Sequence, residues 1–379
     1  MGVRVLLCGM GGYGENYVKE YLSRDVLGSS LVAIADPFAS NSPLYDEVVK
    51  RGIAVYSSPE EFFSTGKFDL TVISSPIHTH YPYVMLALEN GSNVLTERPV
   101  CFDEKQMEAL EDKSKKEGLF VAVGYQLCFS RDVLEMKKDI LSGLYGKALR
   151  FKTLRLMRRN DIYYSRSAWA GALLCHGEKV YDSPFTNACA HQYQNMVFLL
   201  GKKMDESAES ISCQGSLYRV RPTITNADTA ALKFTTKEGV DLYYYSSHAV
   251  DETKVGPWSL YEVENGYIEE TERGFLGHTK DGKTMDNTLV PKGERLEKLW
   301  ECVRCTEERR EPVCTLKTAR EHTHAVLLAQ EKGVVDITGR SVSRTDDKDS
   351  IYYTVPGLGK ALQEAYGSWT EKLDLNLIG

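Results

Sequence analysis

Gly9-Met10-Gly11-Gly12-Tyr13-Gly14 stands between an apolar run, Val3–Cys8, and a helical pattern over Glu15–Ser23. A short apolar run that ends in G-x-G-x-x-G and opens a helix leaves few folds available. The first glycine permits a tight turn, the second lets backbone approach a pyrophosphate, and the third lets helix pack closely on strand. The helix N-terminus then offers N–H groups and the positive end of its dipole to phosphate. A second apolar run, Leu31–Ala35, ends at Asp36, about 20 residues beyond the loop. A carboxylate there bonds the adenine ribose hydroxyls and repels a 2′-phosphate, so the expected dinucleotide is NAD rather than NADP.

The pattern continues as alternating short apolar runs and helical segments, the mark of a parallel sheet with helices on its faces. Leu70–Ser74 ends at Ser75-Pro76, Tyr83–Asn90 is helical, and Asn93–Thr96 leads into Glu97-Arg98-Pro99. Asp103 is placed to cap a helix running through Lys116, and Leu119–Gly124 completes the sheet. The texture changes after Gln126. Leu149–Leu156, Ala231–Phe234 and Asp241–Ser246 alternate as longer strands, which predicts an antiparallel sheet with one covered face. Leu296, Leu299, Trp300 and Val303 form a helical stripe, and Thr318-Ala319-Arg320-Glu321 has the spacing of a capping box. The expected architecture is an α/β Rossmann domain with a mostly parallel sheet over 1–126, followed by an α+β domain with a large, mainly antiparallel sheet over 127–379.

Composition limits the partners. A net charge of −7 gives no basic surface for nucleic acid or anionic lipid. No stretch approaches the ~20 apolar residues of a membrane helix. Nine scattered cysteines suit reduced thiols, so a cytoplasmic protein is expected. Cys302 and Cys305 form a single C-x-x-C inside the apolar helical stripe, with Cys314, His322 and His324 nearby. One such pair on a helix does not make a zinc site, and no metal is expected.

With the glycine loop, the Pro76…His80 spacing and the Glu97-Arg98-Pro99 turn, the chain resembles the Gfo/Idh/MocA oxidoreductases, relatives of glucose–fructose oxidoreductase and inositol dehydrogenase. Gly143–Gly146, Trp169 and the His191–Gly201 segment fall in the same order, so the resemblance covers nearly the whole chain. It implies that the second domain has an open-faced sheet, binds a sugar, sugar acid or cyclitol, and assembles a homo-oligomer, a dimer or tetramer. It also implies NAD contacts from Gly9, Met10, Gly11, Gly12, Tyr13, Gly14, Asp36, Ser75, Pro76, His80, Glu97, Arg98 and Gln126. The family turn reads Glu-Lys-Pro, with the lysine between nicotinamide and substrate, and Arg98 takes its place here. The family pattern Asp, any residue, Gly, any residue, His, matched on His191, finds Asn187 and Cys189 instead of Asp and Gly. Ile77 replaces the asparagine that usually follows Pro76.

Oxidising a secondary alcohol needs a hydride acceptor at carbon and a proton acceptor at oxygen. Arginine does not release its proton in a protein, so Arg98 can polarise a carbonyl or stabilise an alkoxide but not act as the base. His191 is the candidate base. Tyr125, Arg158, Tyr163, Trp169 and Asn187 are the candidate substrate contacts, with Tyr164, Arg166, His176 and His248 close in sequence or pattern. The reaction expected is hydride transfer between NAD and a secondary alcohol or ketone. The alternatives are a redox-neutral enzyme that keeps its NAD through a transient ketone, and a non-catalytic NAD-responsive regulator.

Overall fold

The computed structural model describes residues 2–23, 28–289, 295–345 and 349–378. The chain divides into two compact units, Met1–Phe129 with Glu294–Ala319, and Ser130–Gly293 with Arg320–Gly379.

In the first unit, β1 (Val3–Cys8), β2 (Ser29–Ala35), β3 (Ala54–Tyr56), β4 (Leu70–Ile73), β5 (Asn93–Thr96) and β6 (Val121–Val123) form one parallel sheet in the order β3-β2-β1-β4-β5-β6. This is the doubly wound order, and its direction reverses between β1 and β4. Every residue of β4 and β6 is buried, as expected for strands covered on both faces. The connections carry α1 (Gly14–Ser23), α2 (Tyr45–Lys50), α3 (Pro59–Thr65), α4 (His80–Glu89) and α5 (Glu104–Glu117). Asp103 caps α5 as its sequence suggests, accepting the N–H groups of Lys105 at 2.9 Å and Gln106 at 3.1 Å. Gly118, in the left-handed region, ends that helix.

The second unit opens with α6 (Arg131–Leu141), β7 (Ala148–Met157) and the short α7 (Asp161–Ser165). A two-residue hairpin follows, β8 (Leu174–Cys175) and β9 (Glu178–Lys179), then a π-helical turn Pro184–Ala188 and α8 (Ala190–Leu199). The stretch 158–190, whose sequence shows no regular periodicity, is therefore built from short elements. Next come β10 (Ser210–Arg219), β11 (Thr229–Thr236), β12 (Asp241–Ser247), β13 (Lys254–Val263), β14 (Gly266–Thr271), β15 (Gly274–Thr279) and β16 (Thr284–Asp286). After α9 (Glu297–Glu308) and α10 (Leu316–Gln330), the chain adds β17 (Val334–Asp336), β18 (Val342–Thr345), β19 (Ile351–Thr354) and α11 (Leu358–Gly367). The large sheet runs β16-β15-β14-β13-β7-β12-β11-β10-β17, antiparallel except at β7–β12 and β10–β17.

One face of this sheet carries an aromatic core: Phe151 stacks on Tyr261, while Phe185 and Tyr193 pack on Phe234 and Tyr244. The opposite face is expected to be open, and part of it is not. Leu154, Leu156, Tyr243 and Tyr245 are buried there under Leu358, Ala361, Leu362 and Ala365 of α11. The strands β7 and β12 thus have both faces covered along much of their length, whereas Trp258 and Tyr267, farther along that face, remain 40% exposed.

Two boundaries differ from the sequence reading. The helix expected to start at a Thr318 capping box begins at Leu316; the Thr318 hydroxyl donates to the Val313 carbonyl, and Glu321 accepts the Ser210 N–H at 2.6 Å. The segment Glu294–Ala319, placed by sequence in the 127–379 domain, belongs to the first unit. The apolar stripe of α9 explains it, with Leu299, Cys302 and Val303 buried. Finally, Asp346-Asp347-Lys348-Asp349 reads as a surface loop, and its first three residues lie outside the described residues.

Candidate functional site

In the first unit, the expected cofactor residues gather at the C-terminal ends of the strands, where ligands bind in doubly wound folds. The loop after β1 has the properties a pyrophosphate requires. Gly9 has φ of 88°, and a Cβ there would lie 2.8 Å from the Ser74 carbonyl oxygen. A Cβ on Gly14 would meet the Gly9 oxygen at 2.1 Å, so that glycine lets α1 approach the turn. Around Gly11 and Gly12 a Cβ would meet nothing within 4 Å. No backbone bond among the described residues takes the N–H of Gly11 or Gly12, leaving both donors for a ligand at the start of α1. The residues present therefore fit a dinucleotide.

Asp36, at the end of β2, fixes this loop from the side. Its carboxylate accepts the Met10 N–H at 2.9 Å and the Phe38 N–H at 2.8 Å. It thus holds its orientation and charge where the adenine ribose of a bound dinucleotide would lie. After β4, Ser75 bonds Thr79 at 2.6 Å and Ile77 is buried. His80 is buried and places Nδ1 2.6 Å from the Pro99 carbonyl and Nε2 2.8 Å from the Ser75 carbonyl. Both ring nitrogens face backbone carbonyls, and because burial favours the neutral ring, its single N–H donates to one of them. His80 therefore ties the turns after β4 and β5 together.

The turn after β5 holds the main surprise. Glu97 is expected to orient the nicotinamide ribose or Arg98. Its Oε1 accepts from the Tyr17 hydroxyl at 2.7 Å and from Lys298 Nζ, which also reaches the Gly124 carbonyl at 3.4 Å. The side chains of Glu97 and Lys298 are 11% and 1% exposed. Burial alone would push the Glu97 carboxyl up, but the charges of Lys298 and Arg98 and the hydrogen bonds from Lys298 and Tyr17 outweigh it and hold it below its ordinary value. Lys298 Nζ also sits 4.6 Å from the Tyr13 ring, and Arg295 sits 4.9 Å from the same ring and bonds Asn16 at 3.3 Å. The α9 segment thus braces the glycine loop as well as the Glu97 turn. Sequence reasoning missed Lys298; the available signal was a cation at the position before Leu299, in register with Cys302 and Cys305 on an apolar stripe. Arg98 is half-buried and acts electrostatically on both Glu97 and Tyr125. Tyr125 is buried, which raises its phenol well above the usual range, and Gln126 starts the short helical turn that follows.

The second unit holds the other candidates. His191 is the second residue of α8 and half-buried. Asn187, one turn earlier, donates to Asp182 at 2.8 Å, and Asp182 also accepts the Gly171 N–H at 2.7 Å. Asp182 is a further residue that the sequence reading did not single out. Tyr163 lies under the guanidinium groups of Arg166, at 3.7 Å, and Arg159, at 5.0 Å, and Arg166 also covers Trp169 at 4.6 Å. Burial pushes the Tyr163 phenol up to about 12. Tyr163, Trp169 and Arg166 are thus brought together. Arg158 is turned elsewhere, donating to the Asp251 carbonyl at 2.9 Å and lying over Tyr352. His248 is buried, with Nδ1 2.9 Å from the Tyr164 hydroxyl; burial, then the charges of Arg159, Arg166 and Arg221, keep it neutral. The C-x-x-C thiols are buried, Cys302 raised well above the usual range and Cys305 to about 12, so neither supplies a thiolate.

Fold and loop together define an NAD-binding Rossmann domain. Residues 3–125 match the family model described as "Oxidoreductase family, NAD-binding Rossmann fold", so this region is similar to the Gfo/Idh/MocA oxidoreductases. It is 28% identical over 152 residues to scyllo-inositol 2-dehydrogenase (NAD(+)) of Bacillus subtilis, covering 40% of this chain and 43% of that protein. It is 28% identical over 214 residues to D-glucoside 3-dehydrogenase of Escherichia coli, covering 56% of this chain and 58% of the relative. The matches thus span about half the length of these relatives. Among solved structures, the WlbA dehydrogenase of Bordetella pertussis, in complex with NADH and UDP-GlcNAcA, is similar with a TM-score of 0.74 at 16% identity, over 87% of this chain and 95% of that one. Aldose-aldose oxidoreductase of Caulobacter crescentus, complexed with glycerol, gives a TM-score of 0.68 at 16% identity, over 88% and 98%. These likenesses extend the shared fold into the second unit. No helix among the described residues is long and apolar enough to cross a membrane.

Proposed function

We propose that this protein transfers a hydride between NAD and a secondary alcohol or ketone of a sugar, sugar acid or cyclitol. The observation that carries the reading is the turn after β5. A permanent cation, Arg98, stands beside a clamped carboxylate, on the same strand-end edge as the glycine loop and Asp36. NAD supplies the hydride acceptor; the chain's own residues orient the partners and manage the oxygen. Arg98 stabilises developing negative charge on the substrate oxygen through forked N–H donors. His191, at the start of α8, accepts the hydroxyl proton, with Asn187 and Asp182 ordering the turn before it. The dehydrogenases of inositol and glucosides among the relatives support a polyhydroxylated substrate.

The test is purified protein with NAD+ and a panel of cyclitols, sugars and sugar acids, read by appearance of NADH. Sustained NADH release supports the reading. Substrate consumption without NADH points to the redox-neutral alternative. NAD binding with every panel member untouched refutes catalysis on this class.

A further inference from the structure

Resting on that dehydrogenase reading, we infer that the substrate carries an oxyanion, a carboxylate or phosphoryl group, held by Arg159 and Arg166 beside the Tyr163 and Trp169 rings. Two guanidinium groups lie within 5.0 Å of the centre of the one Tyr163 ring. Like charges this close repel, and the rings offset only part of that cost. Only one carboxylate among the described residues comes within salt-bridge distance of the pair. That is Asp182, 3.8 Å from Arg166, and it is already committed to Asn187 and the Gly171 N–H. Arg159 makes no ion pair among the described residues.

Unmade hydrogen bonds point the same way. Arg159 Nε, Ser167 Oγ and His248 Nε2 are each buried without a hydrogen-bond partner among the described residues. Arg159 and His248 both lie against the Tyr163 ring, and leaving a buried polar atom without a partner is costly. Besides Asp182, no carboxylate among the described residues comes within salt-bridge distance of Arg159 or Arg166. Arg221 lies against the Tyr164 ring, and the nearby carboxylate of Asp228 accepts the N–H groups of Val220 and Arg221. His248 is held neutral by burial and the surrounding arginines, so it adds a dipole rather than a charge. An arriving oxyanion would relieve the repulsion and take forked donors that match its geometry. The Tyr163 and Trp169 rings meanwhile give an apolar face for the sugar ring to lie against. An uncharged sugar would leave Arg159 without an anionic partner among the described residues.

Matched probes test this: glucose with glucuronate, galactose with galacturonate, and glucose with glucose 6-phosphate. Binding to the NADH-loaded protein is read by calorimetry, and kcat/KM with NAD+ is measured alongside. An acidic member should exceed its neutral partner by about 10- to 100-fold, the range expected when one charge-assisted contact is gained. The uronate and phosphate arms tell which oxyanion is meant. Arg166→Gln and, separately, Arg159→Gln should collapse the acid-to-neutral ratio toward one, and Arg159→Lys should restore part of it. Arg166 is exposed, so its variant folds even if the Arg159 variant does not. Acidic and neutral partners binding within threefold of each other would overturn the oxyanion subsite, whatever is oxidised. Acid-selective binding with no oxidation of any probe would instead overturn the dehydrogenase reading and leave the subsite standing.

Discussion

Replacing Lys298 by Met removes the ammonium from a nearly dry ion pair and keeps the length of the side chain. Glu97 then stays in a site where its partner was 1% exposed and it is itself only 11% exposed. Breaking a buried pair by deleting one member typically costs about 3–5 kcal/mol, because the remaining charge has no compensation. The Tyr17 hydrogen bond and the Arg98 charge survive here, so the lower end, about 3 kcal/mol, applies. For a unit of this size that is roughly 6–12 °C in Tm. The pH dependence should change sign. In the parent protein the Glu97 carboxyl is held below its unfolded value, so its contribution is present above about pH 4.3 and lost as pH falls through the folded value. In Lys298→Met, burial, the largest influence on this carboxyl, meets less opposition and raises it. The variant is then relatively favoured at low pH, where the carboxyl is protonated, and penalised as pH rises through the raised value. Calorimetric scans between pH 4.5 and 7.5 should therefore show a deficit that widens with pH. Adding Glu97→Gln removes the stranded charge and should return at least half of the loss. A deficit under about 1 kcal/mol, or one equal at both ends of the range, would refute the account, as would a double variant no better than the single.

The other predictions concern the remaining parts of the site. Asp36→Ser removes the charge that repels a 2′-phosphate, and the NADP-to-NAD ratio of kcat/KM should rise about 10- to 100-fold; an unchanged ratio in NADPH and NADH titrations would show that Asp36 does not read the ribose. His191→Asn should lower kcat by about 100- to 10 000-fold while NADH affinity, followed by fluorescence, stays within threefold. Comparable activity in that variant would remove His191 as the base. Leu362→Ala opens a cavity between α11 and the large sheet, and because Leu362 is fully buried the loss of stability should be about 2–5 kcal/mol by denaturant unfolding.

Most of the nucleotide-binding unit is legible in the chain because its signals are local. A glycine loop, a capping Asp103 and apolar runs bounded by turns each report on a few neighbouring residues. What sequence hides depends on residues far apart in the chain. Lys298 reads as one more helix cation until it is seen 201 positions from Glu97 and bonded to it. The covering of β7 and β12 by α11 is hidden in the same way, since alternation in a strand shows which residues share a face but not what returns to cover it. The Thr318 capping box fails for a tertiary reason: Glu321 is needed by the Ser210 N–H and cannot serve the helix start. In the second unit, the arginines that matter at Tyr163 are Arg159 and Arg166, not Arg158. Adjacent residues leaving a strand point to different sides, and sequence proximity cannot choose between them.

The Glu97–Lys298 pair also explains how an arginine can stand where the family resemblance puts a lysine. A Glu-Lys turn left to itself would be one carboxylate beside one cation, close to neutral. Here Lys298, brought in by α9, hydrogen-bonds the carboxylate, so Glu97, Lys298 and Arg98 together carry an excess of one positive charge at the end of β5. Arg98 cannot dissipate that excess by losing a proton, whereas a lysine in a partly buried cationic setting could. In the proposed reaction Arg98 keeps its charge beside the developing alkoxide across the working pH range, and proton transfer is left to another group. Arg98→Lys exposes the difference directly. It keeps the charge at low pH but introduces a group that titrates beside Lys298. The variant's kcat should acquire a new dependence on the alkaline side that the parent lacks, and an identical pH profile in the two proteins would show that Arg98 contributes no charge to the reaction.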